Sequence, residues 1–329
     1  MEFFRKHFDP VAAGGVRIDD TGDVKFPFEG EPDEIYVYQP RAILALNVAL
    51  STRRPLLISG EPGCGKSTLA RNAALVLRSC FYKHMVTSRT QASDLLWTFD
   101  TLQRLNDAQA KKLRREDQFY VEPGTLWWAF SPETARQRGN AGDIDEADFA
   151  ADPGILGDVQ YAVVLMDEID KADPDVPNDL LEPLDLKQFT VRETKDVICA
   201  RRDVLFILTT NGEREMPAAF LRRCVRLSLD IPEERMEDWL IGIAESKLGP
   251  SEDQLNRAVA GEVVRLRQAA QRAGVRKPST GEYLDTLRVC RDLDVGPESE
   301  VWNEVIRSVL WKDERAPRDT RVTADDFVV

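Results

Sequence analysis

The sequence is poor in the residues that build metal frameworks and disulfide scaffolds. It has two histidines, His7 and His84, and five scattered cysteines, Cys64, Cys80, Cys199, Cys224 and Cys290. No pair stands at metal-ligand spacing, which argues against a zinc centre and against a disulfide-stapled fold. No apolar run is long enough to span a bilayer. The opening, MEFFRKHFDP, lacks the apolar stretch of a secretory signal. The expectation is a cytoplasmic protein with no membrane insertion. Positive charge is also in deficit, with a formal net charge of −13. A face that neutralises nucleic-acid phosphates would have to be local, and solubility is the simpler consequence of the acidity. The dense basic stretches are KKLRR (111–115) and RRD (201–203), so nucleic acid is not a favoured partner.

What is present is a long chain with a large apolar share. Its 329 residues, 43% of them apolar, suit two domains with a sizeable core. Residues 1–34 are mixed and turn-rich and read as an irregular leader. QPRAILALNVALSTRR (39–54) places a proline at a helix start. PLLISG (55–60) is a short apolar strand, STLARNAALVLRS (67–79) has helical spacing, and FYKHMVTS (81–88) reads as a strand. Strands alternating with helices imply a parallel α/β sheet covered on both faces.

The rhythm then breaks. ASDLLWTFDTLQRLNDAQAKKLRRED (92–117) looks helical, FYVEPGTLWWAF (119–130) is aromatic with a Pro-Gly turn, and NAGDIDEADFAADPG (140–154) is acidic. The acidic piece reads as a mobile surface loop whose charges solvate it. Regular structure resumes with the buried strand YAVVLMDEID (161–170), a helix near 176–186, a hairpin over KQFTVRETKDVICA (187–200) and a second buried strand, DVLFILTTN (203–211). FLRRC (220–224) closes a helix, VRLSLDI (225–231) is a fifth strand, and the text is helical from PEERMEDW to about residue 311. A domain boundary is expected close to Pro232, giving a core over 35–231 and a helical domain with a tail over 232–329.

Three strand ends carry chemistry. Gly60-Glu61-Pro62-Gly63-Cys64-Gly65-Lys66-Ser67 matches G-x-x-x-x-G-K-[ST] in full. Its glycines let several backbone N–H groups converge on one anion, and the following helix, which begins through Thr68, adds its positive end. Lys66 can reach the β- and γ-phosphates of a nucleotide and the Ser67 hydroxyl can ligate Mg²⁺. The alternative is a plain glycine-rich turn. The strand before and the helix after weigh against it. A small side chain is the simplest account of Cys64, which receives no redox role.

VVLMDEID delivers Asp167 and Glu168 to a strand end, where ligands bind in such folds. Asp167 is placed to hold the magnesium, and Glu168 to polarise an attacking water. An acid directly after the metal-binding aspartate favours hydrolysis over phosphoryl transfer to a metabolite. FILTTN brings Asn211 to another strand end, where its amide can bond the γ-phosphate and the water together.

The phosphate loop, VVLMDEIDKAD, FILTTN and FLRRC occur in the order of an AAA+ ATPase, and this sequence resembles one from about residue 35 to about 290. VTSRTQASDLLWTFDTLQRLNDAQ, PGTLWWAF, LLEPLDLKQFTV and KPSTGEYLDTL are similar to stretches of the MoxR-type branch. The resemblance implies a five-stranded parallel P-loop core with a smaller all-α lid, an insert in the second helix (about 92–158) and a hairpin before the sensor strand (187–200). It implies ATP and Mg²⁺ as cofactors and a homo-oligomeric ring, usually a hexamer, with ATP at the subunit joint. Arg222 and Arg223 are then the candidates for a residue offered to the neighbour's γ-phosphate, Arg223 fitting the family pattern better. Adenine is expected near IYVYQ, with Tyr38 among its contacts. At the position where the family places a lid arginine this sequence has Gly281, which leaves two alternatives: Arg276 or Lys277 substitutes for it, or the contact is missing.

Three uses of the ATP compete. MoxR-type proteins imply a chaperone-like remodeller whose client or adaptor carries a von Willebrand factor A domain. Other MoxR-like proteins imply an ATP-gated switch in a bacterial conflict or antiphage defence system, acting with a separate effector chain; nothing here resembles a nuclease, protease or deaminase site. A nucleic-acid motor or loader ranks third, since VRETKDV in the hairpin is charge-balanced. Trp127 and Trp128 are open to two readings, as interface anchors or as the core of the insert.

Overall fold

The computed structural model describes residues 6–18, 23–26, 36–112, 116–138, 161–231, 233–248 and 253–310. The acidic stretch 140–154, most of KKLRR and the tail beyond 310 lie outside the described residues. The chain divides into two compact units. The first holds Met1–Pro32, Tyr38–Gly60 and Lys66–Ser228, and the second holds Asp33–Val37, Glu61–Gly65 and Leu229–Val329, each as far as described.

In the first unit an antiparallel ribbon, β1 (Val16–Ile18) and β2 (Asp23–Phe26), opens the chain, with Val16 opposite Lys25. This departs from the irregular leader expected there. Val24, Phe26 and the preceding Phe8 are buried, so tertiary packing orders a segment whose turn-rich composition hides short strands. Strand β3 (Tyr36–Tyr38) leads into helix α1 (Pro40–Thr52), which starts on a proline and stops at Arg53 in the left-handed region. Strand β4 (Leu56–Ser59) runs into the phosphate loop, helix α2 (Lys66–Val76) leaves it, and β5 (Cys80–Met85) follows.

The stretch read as one long helix from 92 to 117 is interrupted. It forms α3 (Ala92–Leu96), β6 (Trp97–Phe99) and α4 (Thr101–Gln109). The break has a physical cause: Trp97 and Phe99 pair with Pro123 and Val121 of β7 (Val121–Pro123), and Trp97 stacks on Phe189. Long-range pairing overrides local helical spacing. Two short helices, α5 (Thr125–Phe130) and α6 (Pro132–Ala135), complete the described insert. Trp127 and Trp128 are buried in its core. The Trp127 indole donates to Thr134 at 2.9 Å, and its ring meets Phe189 edge-on.

Strand β8 (Tyr161–Asp167) is buried along almost its whole length and is followed by α7 (Asp175–Asp179) and α8 (Leu181–Leu186). The hairpin β9 (Gln188–Thr190) and β10 (Val197–Cys199), strand β11 (Asp203–Thr210), helix α9 (Ala218–Leu221) and strand β12 (Val225–Ser228) close the unit. The main sheet has five strands in the order β12-β4-β11-β8-β5, all parallel. The runs VVLM in β8 and LFIL in β11 carry no polar face because helices cover both sides. This order sets β8 between β11 and β5, and β4 next to β11.

The second unit is helical: α10 (Met236–Leu248), α11 (Asp253–Ala273), α12 (Thr280–Asp292) and α13 (Trp302–Leu310). Its core joins Leu240, Val259, Leu266, Tyr283, Leu287 and Trp302. A capping box opens α12, with the Ser279 hydroxyl accepting from the Glu282 backbone and the Glu282 carboxylate accepting from the Ser279 backbone. No helix among the described residues is long and apolar enough to cross a membrane.

Candidate functional site

The sheet order brings the ends of β4, β8 and β11 together. Lys66, the first residue of α2, is buried, and its ammonium donates to the Gly60 carbonyl at 2.7 Å and to Asn211 Oδ1 at 2.8 Å. The Ser67 hydroxyl stands 2.8 Å from both carboxylate oxygens of Asp167. Asn211 turns its Nδ2 to Glu168 Oε1 at 3.1 Å. Lys66, Ser67, Asp167, Glu168 and Asn211 therefore form one polar cluster, although they come from three separate parts of the chain.

Glu168 has left-handed backbone angles, φ 61 and ψ 50, which for a non-glycine residue is a held conformation. Thr209 holds it: its hydroxyl accepts the Glu168 backbone N–H at 2.8 Å and donates to Asp167 Oδ1 at 2.7 Å. Two lysines neutralise the acids. Lys83, on the neighbouring β5, reaches Asp167 at 3.3 Å, and Lys171 reaches Glu168 at 2.5 Å. The hydrogen bond to Glu168 holds the Lys171 amine above its ordinary value. Asp170 is buried and accepts the backbone N–H groups of Asn211 at 3.1 Å and Glu213 at 3.0 Å, which fixes the turn after β11.

The oxygen donors fit a divalent cation of the hard type. A hydroxyl and a carboxylate side by side are among the protein ligands that Mg²⁺ takes. The described residues hold no group of three or more His, Cys, Asp or Glu that could cage a metal alone.

The middle of the phosphate loop, Glu61–Gly65, packs within the second unit. Gly63 (φ 75) and Gly65 (φ 92) have positive φ, where a side chain would be strained. A Cβ on Gly63 would also come within 2.8 Å of the Ser279 hydroxyl. Tyr36 lies close to Gly65, 3.4 Å from where its Cβ would stand. Tyr38 belongs to the first unit. It is fully buried, edge-on to Phe8, with its hydroxyl donating to Asn72 at 2.7 Å. Tyr36, two positions earlier, is the aromatic residue beside Gly65. Around Gly281 the cations are already engaged: Arg276 with Glu282 at 3.0 Å and Lys277 with Glu233 at 3.0 Å. The buried cation against the loop is Arg267 of α11, 2.8 Å from Glu61.

Arg222 and Arg223 are both exposed on the turn after α9. Arg223 pairs with Asp185 at 2.7 Å, while the Arg222 carbonyl accepts from Arg54. Sequence reasoning alone misses Thr209, Lys83, Lys171, Asp170 and Arg267. Thr209 and Asp170 lie inside the informative motifs FILTTN and DEID, beside residues that carry the signal. Lys171 lies inside VVLMDEIDKAD, while Lys83 and Arg267 carry no motif.

A family model described as AAA domain (dynein-related subfamily) matches residues 55–224, just over half of the chain. No curated protein matches the sequence.

Proposed function

The chain belongs to the dynein-related AAA domain family, and from that premise we propose that it is a ring-forming ATPase of the MoxR type, which hydrolyses ATP at subunit joints to remodel or activate a partner protein. Family membership carries the general ATPase function. The observation that carries hydrolysis here is the convergence of Lys66, Asp167, Glu168 and Asn211 within hydrogen-bonding distance of one another or of a shared partner. In this reading residues 35–231 are the ATPase core and 232–329 its helical lid with a C-terminal tail.

The phosphate loop takes the nucleotide's phosphates on its backbone N–H groups and on Lys66. Ser67 and Asp167 would hold a magnesium ion, whose charge offsets that of the phosphate oxygens when it is bound. Asn211 links the two ends of the chemistry. Its carbonyl oxygen accepts from Lys66 and its amide donates to Glu168. A γ-phosphate that draws Lys66 away from Gly60 and Asn211 frees the Asn211 carbonyl oxygen to accept from the attacking water. Glu168, released from Lys171, then accepts the water's proton.

Arg223 supports the shared-site reading. It is exposed and positioned by Asp185, and a guanidinium supplied by a neighbour offsets charge on the separating phosphoryl group. The test is ATP turnover against protein concentration, with mass photometry on the same samples, for the wild type and Arg223→Ala. Turnover per chain that rises with concentration, appears with a defined ring and is abolished by the substitution supports the proposal. Linear, monomeric turnover indifferent to Arg223 overturns the ring.

A further inference from the structure

The phosphate loop carries an acid at its second position, Glu61, which sets a negative charge in a loop that must take a polyanion. At a separation of about 6 Å and an effective dielectric of about 20, one unpaired carboxylate opposes one phosphate charge strongly enough to weaken binding on the order of a hundredfold. The structure shows how the charge is answered. The Arg267 guanidinium lies 2.8 Å from Glu61 Oε2, and the Lys277 ammonium 4.0 Å from Glu61 Oε1. Arg267 also reaches Glu233 at 3.1 Å and donates to the Pro278 carbonyl at 2.6 Å, while Lys277 reaches Glu233 at 3.0 Å. Two cations and two acids thus form one closed network.

The members differ in exposure, and that difference assigns their roles. The Arg267 side chain is 5% exposed, whereas that of Glu61 is 43% exposed. The buried member is the fixed anchor. All four members, Glu61, Glu233, Arg267 and Lys277, help to line one small cavity of about 190 Å³, and the loop acid is the more exposed partner of Arg267. Burial opposes the charge on Arg267, and its hydrogen bonds to Glu61 and Glu233 more than offset this, holding the guanidinium charged.

We propose that Arg267 is the counter-ion of the phosphate loop, a positioning residue that acts through Glu61 so that the loop can accept a nucleoside di- or triphosphate. The inference rests on the nucleotide-binding reading above. It is separate from direct contact of Arg267 with the phosphates, since its guanidinium is already divided between two carboxylates and a carbonyl.

The experiment is equilibrium titration of the full chain with a fluorescent MgADP analogue, for the wild type, Arg267→Gln, Arg267→Lys, Glu61→Gln and the double variant Arg267→Gln/Glu61→Gln, at low and high salt. Arg267→Gln should bind ten- to a hundredfold more weakly, and the deficit should shrink with salt as the exposed Glu61 charge is screened. Arg267→Lys, which keeps the charge, should lose less than Arg267→Gln, and Glu61→Gln, which removes the opposing acid, should bind no more weakly than the wild type. The double variant should recover most of the loss, which a folding defect of the helical unit would not do. Wild-type affinity in Arg267→Gln overturns the inference, and so does a double variant as weak as Arg267→Gln. Absence of binding by the wild type overturns the nucleotide reading and this inference with it.

Discussion

Thr209 donates its hydroxyl hydrogen to Asp167 at 2.7 Å while its oxygen accepts the backbone N–H of Glu168 at 2.8 Å. One buried side chain thus fixes both the carboxylate proposed to hold the metal and the backbone of the acid beside it. Thr209→Val has nearly the same shape and removes both bonds. It should destabilise the protein by about 1–3 kcal/mol and lower ATP turnover at least tenfold, with nucleotide affinity changed far less. Thermal unfolding and a comparison of kcat with binding check this, and Thr209→Ser should restore turnover.

Asp170 positions Asn211 through two backbone N–H groups received on one carboxylate oxygen, while its other oxygen is buried with no hydrogen-bond partner among the described residues. An amide suits this arrangement, because its oxygen can keep both bonds. Asp170→Asn should therefore stay close to the wild type in stability and turnover. Asp170→Ala leaves the N–H groups unpaired and should cost about 1–3 kcal/mol with a fall in kcat. Parallel melts and turnover assays distinguish the two variants.

Gly124 ends β7 at a close backbone approach. A Cβ there would stand 2.6 Å from the Asp94 and Leu95 carbonyl oxygens, which cannot swing aside as a flexible side chain can. Gly124→Ala should destabilise the chain by about 1–3 kcal/mol through overpacking, measured by denaturant unfolding, with no direct effect on the phosphate-loop chemistry.

Lys187 titrates early. Burial, together with the nearby Arg53 charge, pushes its amine down to about 8 from an ordinary 10.5, although the ammonium lies over the Phe206 ring at 4.1 Å and donates to the Leu184 carbonyl. Between pH 8 and 10.5 the unfolded chain holds more protons at this site, so its contribution to stability rises with pH there. The slope is on the order of 1 kcal/mol per pH unit. Burial pushes the Cys224 thiol up to about 12 from 9.0, which acts in the opposite direction above pH 9. The difference between wild type and Lys187→Met isolates the lysine: stability of the wild type relative to the variant should increase from pH 8 to 10. A flat difference would contradict the assignment.

Much of the core and its site is legible in the sequence. The strands at 55–60, 161–170, 203–211 and 225–231 announce themselves as apolar runs ending in polar residues, and the same runs deliver Lys66, Asp167, Glu168 and Asn211 to adjacent strand ends. What stays hidden depends on distant partners. Trp97 and Phe99 sit in helical spacing until β7 pairs with them. Tyr38 meets Phe8 and Asn72, partners 30 or more positions away that its own segment does not announce. Arg267 is one arginine among several on a 21-residue amphipathic helix, and only folding sets it against Glu61.

The most direct test of the account is ATP hydrolysis by Glu168→Gln beside the wild type, with nucleotide affinity measured on the same preparations. The account predicts that turnover falls by about 100-fold or more, a loss of roughly 3 kcal/mol of transition-state stabilisation, while the chain still binds MgATP. Turnover equal to that of the wild type would contradict it, and would mean that the acid held by Asn211 and Lys171 is not the one that activates water.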